Sequence, residues 1–282
     1  MTIKIKNNIL KYSKTIFPYY SASAKIKNEE LISTNALIYH ALVNLHMGNN
    51  LQAKKITKIC IKNYKTEVKN KLKSNFNKHS DSYKNLHKIA LLTQLFCSTE
   101  NSFKNVNKFF NNILNKEYLE LIVNEKKFIR EIKSLNLKNS WHDSNIIMAM
   151  FCLRFAYCRG NKKDRALNDC IDYLETIQNS ETGFWHSKNG YGGDLNAMAG
   201  TFHYLPLFLS IGREIPKSES IIKSTKKLHI KKGHFSAPKG HSCVDLDAFS
   251  IFFYCKFNKE NDYSNKTKFF SKEFINDLKN IS

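Results

Sequence analysis

Acidic and amide residues recur in this chain at an even pitch. Asp143-Ser-Asn145, Asp194-Leu-Asn196 and Asp245-Leu-Asp247 begin 51 residues apart at each step, and each opens an apolar run of helical length. Asp245 and Asp247 suit acid–base chemistry best. Two carboxyls held together away from water repel, so one keeps its proton near neutral pH and can act as a general acid. Asp247 is the candidate acid, with Asp245, Asp194, His203 and His241 as supporting catalytic groups. A plainer use exists for the same residues. Asp or Asn at a helix start satisfies free N–H groups and complements the helix dipole. Asn fills the corresponding place in most copies, as capping alone would produce.

Around these positions lie groups able to bind a substrate: Trp141, His142, Asp143, Asn145, Tyr191, Asn196 and Tyr204. Aromatic faces stabilise a carbocation or hold an isoprenoid chain. Trp185 and Phe235 read instead as wedges between neighbouring helix pairs. His142, His203, His234 and His241 gather in the same loops and helices. His241, Cys243 and Asp245 have the right ligand types for a metal, but their spacing matches no closed zinc site. No metal is assigned, and a divalent ion stays open. No Gly-x-Ser-x-Gly, phosphate-loop or dinucleotide fingerprint occurs, so no nucleotide cofactor is expected.

The elements that position these residues follow from the same period, which signals stacked copies of one supersecondary unit. Apolar residues recur at three and four positions and only four prolines occur, so the chain reads as helical throughout. Five pairs of helices can be traced: 31–45 with 51–64, 83–96 with 103–114, 144–157 with 163–178, 195–209 with 217–228, and 246–255 with 271–280. One further helix is expected within 116–140. The first helix of each pair is apolar nearly all round; the second has a single apolar stripe and carries the lysines. Inner and outer helices alternating in this way predict an all-α fold, an α/α toroid (an incomplete barrel) of five to six helical hairpins. Residues 1–28 read as an N-terminal arm and 29–282 as a single domain, with the clearest repeats at 140–256.

Two connections concentrate glycines and aromatics. One is Gln178-x4-Gly183-Phe184-Trp185, running through Gly190-Tyr-Gly192-Gly193 to Asp194; the other is Gly233-His-Phe235 with Lys239-Gly240, leading to Asp245. These stretches resemble the repeat shared by squalene and other triterpene cyclases and the β-subunits of protein prenyltransferases. The resemblance covers about 140–254 well and the first half by pattern. It implies a central cavity at one mouth of the inner-helix ring and an isoprenoid or similar apolar substrate. Departures are visible. Class II cyclases carry Asp-x-Asp-Asp with the middle Asp as acid; here Ala248 follows Asp245-Leu-Asp247. Prenyltransferases hold zinc with an Asp-x-Cys and a distant His, whereas the order here is His241-x-Cys243-x-Asp245. A basic diphosphate clamp is not evident in the matching segment.

Composition narrows the partners. The net charge is +21, with 45 Lys and Arg against 24 Asp and Glu. Lysines are spread along the chain and no nucleic-acid-binding motif occurs, so nucleic acid is not the expected main ligand. A peripheral contact with anionic lipid head groups, or a phosphorylated substrate, fits the charge at least as well. No apolar stretch is long enough to span a bilayer. Residues 1–11 lack the apolar core of a signal peptide, and seven scattered cysteines suggest reduced thiols, so a cytoplasmic location is expected. Three functions remain in view: an isoprenoid-acting enzyme, a carbohydrate-acting toroid of surface-polysaccharide metabolism, and a non-catalytic binding scaffold.

Overall fold

Side-chain caps and apolar stripes make this chain helical. The computed structural model describes residues 37–38, 41–42, 44–45, 48–71, 80–100, 105–135, 137–185, 190–228, 235 and 243–257, without the side chains of 67–71, 80–85, 243, 245–246 and 256–257. The expected arm at 1–28, His234, His241 and the last outer helix at 271–280 lie outside the described residues. So do the side chains of Cys243 and Asp245.

Ten helices are bounded among the described residues, which contain no strand: α1 (Asn50–Lys71), α2 (Ser80–Glu100), α3 (Val106–Ile113), α4 (Lys116–Val123), α5 (Glu125–Ser134), α6 (Ser140–Tyr157), α7 (Arg165–Ile177), α8 (Gly193–Ser210), α9 (Ser218–Lys227) and α10 (Cys243–Phe257). The fold is all-α. The inner helices α6, α8 and α10 are apolar nearly all round, while α7 and α9 each bury one stripe. In α7 that stripe is Ala166, Leu167, Cys170, Ile171 and Leu174, and Asp164 caps the helix by accepting the Leu167 N–H at 3.1 Å.

The single helix expected within 116–140 is two. Asn115 caps α4 through the Tyr118 N–H at 2.8 Å, and Asn124 then adopts an extended conformation that ends it before α5 begins.

The chain divides into two compact units. The first, 1–124 with 152–160, holds α1 to α4 and the last turns of α6. Within it α1 packs on α2, and Phe96 of α2 stacks on Phe109 of α3 at 4.4 Å between ring centroids. Buried Arg154 closes the end of α4, its Nη1 donating to the carbonyls of Ile122 (2.8 Å) and Val123 (3.2 Å). A cation there complements the negative end of the helix dipole.

The second unit, 125–151 with 161–282, holds α5, the first turns of α6, and α7 to α10. In it α5 packs on α7, and α10 packs on both α8 and α9. The start of α6 meets α8 closely. A Cβ at Gly200 would lie 2.6 Å from the Ser140 carbonyl oxygen, so only glycine allows this approach.

Trp185 is the wedge of this unit. It is 0% exposed, packs on Tyr204 and Phe208, and donates its Nε1–H to the Leu174 carbonyl at 2.7 Å. The turn before it is set by Gln178, whose Nε2 donates to the carbonyls of Gly183 (2.8 Å) and Pro216 (2.9 Å). Gly183 takes φ +75 against Ile221, where any Cβ would collide.

Candidate functional site

The candidate residues stand on the first turns of α6, α8 and α10. At α6 the Trp141 backbone is a hub. Its N–H donates to Asn196 Oδ1 at 3.1 Å, and its carbonyl accepts from Ser144 Oγ and Asn145 Nδ2, each at 2.9 Å. Asn196 therefore reaches from the start of one inner helix to cap the start of the preceding one. The Lys138 carbonyl accepts the Tyr191 N–H at 2.8 Å, which brings the glycine-rich loop against the segment before α6.

His203 belongs to the same junction. Its Nδ1 lies 2.8 Å from Ser144 Oγ, and both residues are buried. The Ser144 hydroxyl thus stands between the Trp141 carbonyl and the His203 ring and ties the two helices together. Around this pair, His142 is exposed and its Nδ1 lies 3.3 Å from Asp143 Oδ1. Trp141 is 43% exposed and Tyr191 75%. Asp194 is exposed in the first turn of α8.

Asp247 differs from all of these. It holds the place in α10 that Asn145 and Asn196 hold in α6 and α8, yet it is only 5% exposed and its Oδ2 has no hydrogen-bond partner among the described residues. Burial pushes its carboxyl up to about 7. The cause is desolvation: burial strips hydration from the anion.

The structure thus brings Trp141, Asn145, Asn196 and His203 into one bonded cluster, with Asp143 and His142 at its edge. Tyr204 lies away from solvent, fully buried against Trp185, with its hydroxyl unpartnered among the described residues. Burial, reinforced by Cys170, raises that phenol well above its ordinary value. Two residues at this junction carried no assigned role in the sequence reading. Ser144 replaces the leucine found at the matching point of the other two copies, and that break in the pattern was its only signal. Gly200 is a glycine in the middle of an apolar helix.

Other chemistry finds less support. Burial pushes the thiols of Cys60 and Cys255 up to about 12, so neither is a thiolate at neutral pH. No group of three or more His, Cys, Asp or Glu able to hold a metal occurs among the described residues. One surface depression is lined by Glu219, Ile222, Lys223, Lys226 and Lys227; a second runs from Glu175 and Arg213 to Ser220. Neither includes Asp247. No helix among the described residues is long and apolar enough to cross a membrane. No protein-family model, curated protein or solved structure matches the chain.

Proposed function

We propose that this protein is a terpenoid-cyclase-like enzyme acting on an isoprenoid or similar apolar substrate, with Asp247 as the proton donor. The observation that carries this reading is the buried Asp247 carboxyl, which keeps an oxygen unpartnered among the described residues and a proton in the neutral range. An acid in that state is protonated when it meets an uncharged substrate and strong enough to give the proton up. The neighbourhood is apolar: Ala248, Ile251 and Cys255 are buried on α10, and Phe202 of α8 stacks with Tyr254 at 6.4 Å.

In this mechanism the Asp247 proton goes to one carbon of a C=C bond, and the π pair becomes the new C–H bond. The other carbon becomes cationic. Aromatic faces such as those of Phe202 and Tyr254 favour that cation, and return of a neighbouring proton to the Asp247 carboxylate restores a double bond and the acid.

The test is incubation with linear polyprenes and prenyl diphosphates, with products followed by mass spectrometry. Asp247→Asn should lower turnover at least ~100-fold, the low end for a general acid, and leave helicity unchanged. Full activity in Asp247→Asn would remove the assigned acid.

One observation favours a second reading, a non-catalytic helical-repeat scaffold. Asn196 and Asn145 spend their side chains on the Trp141 backbone, as an inert capped repeat would. A thermal-shift screen of polyprenes, prenyl diphosphates, glycans and divalent metals separates the two. No shift with any of them, in folded protein, favours the scaffold.

A further inference from the structure

We infer that Trp141 and Tyr191 form an open platform for a neutral saccharide chain where α6 meets α8. The inference is independent of any chemistry at Asp247. Four large apolar side chains are exposed among the described residues, and two of them are aromatic, Trp141 at 43% and Tyr191 at 75%. Both belong to the second unit, and two links tie them to one place. The Tyr191 N–H donates to the carbonyl of Lys138, in the segment that leads into Trp141, at 2.8 Å. Asn196 makes the other link. Its N–H donates to the carbonyl of Gly192, next to Tyr191, at 3.4 Å, and its Oδ1 accepts the Trp141 N–H at 3.1 Å. A single exposed ring needs no explanation, but two clamped to one junction make a surface that a ligand can cover.

A pyranose has the matching chemistry. The C–H bonds of its flat face carry weak positive charge and stack on the negative face of an aromatic ring, while its hydroxyls bond to water or to polar groups at the edge. Such groups follow each ring in sequence. After Trp141 come His142 and Asp143, with Nδ1 and Oδ1 3.3 Å apart, an imidazole and a carboxylate that between them donate and accept. After Tyr191 comes Asp194, an exposed acceptor in the first turn of α8. Tryptophan and tyrosine suit this use because each offers a large rigid face for the loss of only two torsions.

A saccharide fits this surface better than the other ligands that stack on aromatic rings. A nucleic acid would bring its phosphates toward Asp143 and Asp194, two carboxylates at the platform of a chain that is basic overall. An apolar chain needs a pocket enclosing most of its surface, which a ring as exposed as Tyr191 does not provide. A quaternary cation is held best by a cage of ring faces, and this platform is open. Two rings, each able to take one sugar unit, suit a chain rather than a single sugar.

The experiment is isothermal titration calorimetry of the full chain with cellohexaose, chitohexaose and mannohexaose. At least one should bind, and its affinity should change less than about twofold on raising the salt to about 0.5 M, since the ligand is uncharged. Saturation-transfer NMR should mark the C–H protons of that sugar. Trp141→Ala should weaken binding at least ~10-fold and Tyr191→Ala about fivefold, while Trp141→Phe keeps a ring and stays within about threefold. If circular dichroism shows Trp141→Ala misfolded, Tyr191→Ala carries the test, because its ring lies mostly in water. Failure of all three saccharides to bind, or binding that survives both alanine changes, overturns the proposal. Tighter binding of farnesol or of tetramethylammonium, lost in the same variants, also overturns it and assigns the platform to an apolar chain or to a cation. The turnover of Asp247→Asn bears on none of these outcomes.

Discussion

At the scale of single residues, Asp247 ties stability to function. Its folded value of about 7 lies above the ordinary carboxylate range, so the folded chain holds this proton more tightly than the unfolded chain. Stability from this group is complete below pH ~4, falls as pH rises, and levels off above pH ~7. The difference amounts to about 4 kcal/mol at most. Asp247→Asn keeps the shape and cannot ionise, so it should raise the melting temperature at pH 8 relative to the unaltered protein, while at pH 4 the two converge. Thermal melts at the two pH values check this. A variant both inactive and more stable is the expected mark of a strained catalytic group. Ser144 should behave oppositely. Ser144→Ala removes the oxygen 2.8 Å from the buried His203 Nδ1, at a cost of about 1–3 kcal/mol, and urea unfolding should show it.

At the scale of elements, the contact between α6 and α8 depends on a missing side chain. Gly200→Ala puts a methyl 2.6 Å from a backbone oxygen that cannot rotate away. Destabilisation of about 1–3 kcal/mol is expected, although alanine is the better helix former, and a lower urea midpoint would register it. Trp185→Ala should cost about 3–5 kcal/mol. These elements were unequally legible in sequence. The inner helices announced themselves by long apolar runs, and Trp185 by its glycine turn. The break between α4 and α5 rests on a single extended Asn124, which periodicity does not resolve. Asp247 was legible as a candidate from its spacing to Asp245. Its burial was not, because Asn145 and Asn196, at the same place in α6 and α8, are only partly buried. The tie between Ser144 and His203 joins residues 59 apart, and only packing reveals such a pair.

For the whole molecule, the two units predict where damage stays. The Gly200→Ala strain falls within the second unit, as do residues 140–151 and 193–210. Amide hydrogen exchange should quicken there while α1 and α2 keep their rates, since local openings follow contiguous cooperative segments. Equal acceleration in α1 would show one cooperative body instead. The composition of this molecule also has an optical consequence. It has two tryptophans, Trp185 sealed in the interior and Trp141 near the surface. Iodide should quench the long-wavelength emission of Trp141 and leave the blue emission of Trp185 untouched. One spectrum therefore reads two places separately: the rim of the candidate site and the packing of its foundation.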